Sequence, residues 1–114
     1  MANPLRKEVE FDLDGRSYIV RPTFRKMSEI ETRFGPGIPL LNRMAACNLS
    51  VTEIATLVSV MIRDQPGAPT QKELNDIVFD AGALSLLGPI GEFINNGLKT
   101  DEVVAKKEGD DTGN

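Results

Sequence analysis

The chain contains no histidine. It therefore lacks the commonest general base and transition-metal ligand. A single cysteine, Cys47, excludes an internal disulfide; its alanine-rich helical surroundings point to a buried structural thiol in a reducing compartment. No apolar run approaches the roughly 20 residues that span a bilayer, and the opening MANPLRKEVEF lacks the apolar stretch of a secretory signal. The glycines fall in GPG, PG, AGA, GPIG and NNG, none of which builds a phosphate cradle or dinucleotide fingerprint. There is no G-x-S-x-G elbow, and without histidine a nucleophilic serine needs a lysine base at a spacing the chain does not offer. These absences predict a protein that is not an enzyme, with no catalytic, cofactor-binding or metal-binding residues.

Positive charge is also scarce. Thirteen Lys and Arg stand against 17 Asp and Glu, a net charge of −4. Nucleic-acid surfaces show the opposite balance. Arg21, Arg25, Lys26 and Arg33 lie near one another in sequence, but a solvated helix face accounts for them more simply. The acidic residues do not make a metal site either. Glu8, Glu10 and Asp12 alternate along one strand face and splay apart, whereas a calcium site needs a loop that wraps the ion. Arg21 stands where it can pair across the strands with Glu8.

What the chain does contain is local structure spelled clearly. Asp14-Gly15 is a two-residue type I′ turn signal, because that turn needs positive φ at both central positions. Flanked by Leu13 and Arg16, the turn pairs Asp12 with Ser17, Phe11 with Tyr18, Glu10 with Ile19 and Val9 with Val20. Val9, Phe11, Leu13, Tyr18 and Val20 then share one face, since side chains alternate along a strand. Ile19 is the single apolar residue on the opposite, polar face. A lone hairpin is marginal in water, so its apolar face predicts a cover.

The following segments supply one. Pro22 ends the strand, and Thr23 caps a helix whose Phe24, Met27, Ile30 and Phe34 are expected in the core. Gly35 and Pro36 close it. A short helix over 38–47 is predicted to present Ile38, Leu41, Met44 and Ala45. Ser50 and Glu53 form an S-x-x-E capping box opening residues 51–63, a helix apolar over most of its circumference and hence the expected hub. DQPGAP, residues 64–69, is a loop. Thr70 and Glu73 cap a second helix with Leu74, Ile77, Val78 and Ala81 inward and Phe79 off that stripe, and Gly82 is expected to interrupt it. A final helical stretch carries Leu84, Leu87, Ile90, Phe93, Ile94 and Leu98. A kink or break is expected at Gly88-Pro89, with Pro89 in a fresh first turn. From about Thr100 the chain is charged and glycine-rich, which predicts disorder.

The expected fold is therefore α+β: an N-terminal β-hairpin (8–21) packed on four to five short α-helices (23–98). Residues 1–98 form one globular domain, and residues 99–114 a disordered acidic tail. The order VEFDLDGRSYIVRPTF, then EIETRFGPGI, then LSVTEIATLV resembles the small tail proteins of gene transfer agents and related long-tailed phages, a family grouped with tail assembly chaperones. The resemblance covers residues 5 to about 98 and is strongest over 8–37 and 49–58. It implies a protein without an active site that acts on tape-measure and tail-tube proteins in the cytoplasm of a bacterial host, with no nucleic-acid or membrane partner. The alternatives are a minor structural component retained in the particle, or a small helical nucleic-acid-binding regulator. Candidate partner contacts are Ile19, Arg21 and Phe79, with Val103 and Val104 as anchors in the tail.

Overall fold

A computed structural model describes residues 6–99. The acidic tail, with Val103 and Val104, lies outside the described residues. The fold is α+β, as the sequence predicts: strands β1 (Val9–Leu13) and β2 (Arg16–Val20) precede helices α1 (Phe24–Phe34), α2 (Gly37–Ala45), α3 (Val51–Ile62), α4 (Gln71–Ala81) and α5 (Leu87–Gly97), with a 3-10 turn at Ala83–Leu86.

The hairpin forms in the register its turn dictates, from Val9 opposite Val20 to Leu13 opposite Arg16. Asp14 and Gly15 have φ of 56° and 76°, the two positive values that a type I′ turn requires. Val9, Phe11, Leu13, Tyr18 and Val20 are all buried. Their face lies on α5 and α4 from β1 and on α3 from β2. Helix α3 contacts α1, α4, α5, β2 and the 3-10 turn, and buries Ile54, Ala55, Leu57, Val58, Val60, Met61 and Ile62. It is the hub of the fold. Both capping boxes are complete: Ser50 Oγ accepts from Glu53 N and Glu53 Oε1 from Ser50 N, and Thr70 and Glu73 repeat the exchange.

Several expected core positions are not in the core. Phe24 is 89% exposed, although Met27 and Ile30 beside it are buried. At 100° per residue, Phe24 lies about 90° from the mean direction of Met27, Ile30 and Phe34. Lys26 turns inward instead. Its side chain is only 11% exposed, and its Nζ donates to the Met61 carbonyl at 2.9 Å and meets Asp64 at 3.1 Å. It thereby supplies a cation at the C-terminal end of α3, where that helix has no basic residue of its own.

The buried face of α2 is Gly37, Leu40 and Met44, so Ile38 and Ala45 point to solvent. Gly37 hides the register. A Cβ there would stand 3.0 and 3.2 Å from the Leu98 methyls, so the missing side chain is the contact. Cys47 is exposed, not buried. It follows the α2 C-terminus with φ of 54°, a left-handed turn that swings its side chain off the helix. Ala81, Val51 and Leu84 are likewise outside the core.

The chain breaks at Gly82, where the sequence predicts an interruption, and α5 runs through Gly88-Pro89 without the expected break. With φ of 88° Gly82 ends α4, and the segment after it departs at 103°. The 3-10 turn then passes into α5, where Pro89 is the third residue and its missing N–H is a donor the first turn leaves unpaired anyway.

Candidate functional site

The polar architecture of the described residues lies at the surface. None of the buried side chains is charged or strongly polar, and the described residues hold no cluster of three or more metal-ligating side chains. Glu53 has its pKa held below the usual glutamate range, first by the Ser50 backbone N–H and then by the Arg43 guanidinium, whose Nη2 reaches both carboxylate oxygens at 3.0 Å. The cluster joins the α2 C-terminus to the α3 N-terminus, which is a fastening role.

Ile19 and Arg21 stand on the solvent side of the hairpin. Ile19 is 38% exposed. Arg21 does not form the expected pair with Glu8: its Nε donates to the Arg6 carbonyl at 2.9 Å, and Arg6 is the cation beside Glu8. The entering chain passes near enough to β2 for a backbone acceptor to outcompete the cross-strand carboxylate. Phe79 is 71% exposed, on the side of α4 away from Leu74 and Val78. The structure leaves Phe79 on a different element from Ile19 and Arg21.

Five apolar residues that the sequence pattern assigned to the interior join them at the surface: Phe24, Ile38 and Leu84, at 89%, 65% and 70% exposure, and less fully Val51 and Leu98. Phe24 borders a groove of about 410 Å³ between α1 and the end of α5, lined also by Met27, Ser28, Glu31, Thr32, Gly97 and Leu98. Gly97 makes that approach possible, since a Cβ there would sit 2.8 Å from Met27 Cγ. Two further recesses share Gly67, Pro69 and Ile77: one is bordered by Glu73 and Asp76 of α4, the other by Asp14 and Arg16 at the hairpin turn.

The two edges of the hairpin differ. Leu13 and Arg16 flank a two-residue turn and so exchange backbone hydrogen bonds; alternation then directs the N–H and C=O of Glu10 and Asp12 outward from β1, and those of Ser17 and Ile19 outward from β2. On β2 the outward carbonyl of Ile19 accepts from Gln65 Nε2 at 3.2 Å, and the Arg16 guanidinium donates to the carbonyls of Pro66 and Gly67. The 64–69 loop is therefore held against β2 at Ile19 and Arg16, while the outward Ser17 groups and the Ile19 N–H have no partner among the described residues. On β1, the outward groups of Glu10 and Asp12 have no partner among the described residues. Neither the asymmetry nor its cause is visible in sequence, because the covering residues lie 46 to 51 positions away.

Comparison with curated proteins and with solved structures gives no match. Residues 6–100, which include every element of the fold, match the family model described as "Phage tail tube protein, GTA-gp10". The chain thus belongs to this family of phage and gene-transfer-agent tail proteins.

Proposed function

We propose that the chain is a tail assembly chaperone, a non-enzymatic protein that holds the tape-measure protein in solution and assists tail-tube subunits to assemble around it. The observation that carries this reading is the set of large apolar side chains left outside a completed core: Phe24, Ile38, Phe79 and Leu84, each at least 65% exposed. Side chains of that size in water favour contact with another apolar surface, and extended or helical tail segments offer one. Ile19 and Arg21 add a contact on the hairpin, and Val103 and Val104 the anchors beyond it. Action before the particle is finished places the protein in the cytoplasm of the producing cell.

The second reading is a subunit retained in the tail. The description of the matched family, a tail tube protein, favours it. The two differ in particle composition. A chaperone keeps co-expressed tape-measure protein soluble and is absent from purified particles; a structural subunit is present in them at fixed stoichiometry. Failure to solubilise the tape-measure protein, together with stoichiometric presence in particles, would replace the first reading with the second.

A further inference from the structure

We propose that the outer edge of β1, which no described residue covers, is a strand-addition site for an extended, basic segment of a partner protein. The proposal refines the tail-assembly reading by giving one partner segment a chemistry. Glu10 and Asp12 present two N–H and two C=O groups outward, spaced as one side of an antiparallel ladder, and no described residue occupies them. On the opposite edge the Ile19 carbonyl is already taken by Gln65 and the Arg16 side chain holds the 64–69 loop beside it, so β1 is the more open of the two edges.

Charge selects the occupant. The solvent-side residues of β1 are Glu10 and Asp12, both exposed carboxylates. An incoming antiparallel strand sets its own solvent-side residues directly opposite these two, close enough for the pair to interact. A second copy of this chain, pairing β1 with β1, places carboxylate against carboxylate in every register that keeps the Val9–Phe11–Leu13 side inward. Like charges so placed are unfavourable, which excludes self-pairing as an edge charge commonly does. A segment with lysine or arginine at alternate positions meets both carboxylates favourably. Its intervening residues continue the apolar face of the sheet.

The test uses the full chain and a seven-residue peptide alternating lysine with valine and threonine. Two controls accompany it: the same peptide with glutamate for lysine, and the lysine peptide N-methylated at each lysine. N-methylation keeps the charge but removes the donors that face Glu10 and Asp12. The lysine peptide is expected to bind and to slow hydrogen exchange at the Glu10 and Asp12 amides at least about tenfold. Both controls should bind roughly tenfold more weakly, the loss expected for about two ladder hydrogen bonds or their electrostatic equivalent. The double variant E10K/D12K, with its fold checked by circular dichroism, should reverse the preference towards the glutamate peptide. Equal binding of the N-methylated peptide, protection elsewhere in the chain, or no binding would overturn the proposal. Any of these outcomes leaves the chaperone reading to its own test of tape-measure solubility and particle composition.

Discussion

Replacing Lys26 with methionine removes an ammonium group while keeping a flexible stem of similar length. The Lys26 side chain packs along α1 with 11% exposure and donates to the Met61 carbonyl at 2.9 Å. Met61 lies in the last turn of α3, where carbonyls have no partner further along the helix. Arg63 N and Gln65 N serve the neighbouring Ser59 and Ile62 oxygens, so Lys26 is the donor that reaches Met61. A hydrogen bond from a charged donor contributes about 1.5–3 kcal/mol, and a half-buried acceptor left alone costs about 1–3 kcal/mol. Asp64 is 60% exposed, and its pairing with Lys26 adds only about 0–1 kcal/mol. Lys26→Met is therefore expected to cost about 2 kcal/mol and Asp64→Ala about 0.5 kcal/mol or less. For a fold of this size the first corresponds to a fall in Tm of roughly 8–15 °C. The assay is urea unfolding followed by far-ultraviolet circular dichroism. Emission from Tyr18, the sole tyrosine in a chain without tryptophan, gives a second probe, and coincident transitions justify two-state treatment. If Asp64→Ala costs as much as Lys26→Met, Lys26 acts through its surface pair and not through the helix end. If Lys26→Met is neutral, water replaces the ammonium at no cost. Either result refutes the assignment.

Four further outcomes follow from the same structure. Phe24→Ser should leave the urea midpoint nearly unchanged, whereas Ile30→Ala should cost about 2–5 kcal/mol, because only Ile30 fills core volume. The folded-state pKa of Glu53 is depressed, so the unfolded chain binds that proton more tightly. Its contribution is present at neutral pH and is lost as pH falls from the usual glutamate range through the lower folded value; Glu53→Gln should flatten that acid limb of the stability profile, and an unchanged limb would remove Glu53 from the account. Cys47→Gly should raise stability by up to about 1 kcal/mol, since glycine adopts the φ of 54° without a Cβ penalty. The Cys47 thiol should also react fully with a thiol reagent in the native protein, and slow, unfolding-limited labelling would contradict its exposure.

The candidate surface was legible only in part. Ile19 on a polar strand face and Phe79 off its helix stripe were marked by pattern alone, and both are exposed. Phe24, Ile38 and Leu84 were not, because periodicity ranks residues by spacing and cannot tell which part of a helix the core reaches. The open β1 edge was half visible: sequence gives a hairpin with two edges, but the covering of β2 depends on Gln65, Pro66 and Gly67 arriving from another part of the chain.

By itself, the sequence determined what neighbouring residues can settle between them. The Asp14-Gly15 turn sets the hairpin register through allowed backbone angles, and Ser50 with Glu53, and Thr70 with Glu73, set helix starts through hydrogen bonds spanning three residues. The apolar circumference of α3 made it the hub, since no orientation could leave it in water. Tertiary structure alone decided how the less apolar helices turn. Helix α2 rotated so that Gly37 meets Leu98, and α1 exchanged Phe24 for Lys26. In each case several faces were locally equivalent, and the choice went to the one that fits a distant surface, where close packing and a partner for each buried polar atom are imposed by residues far along the chain.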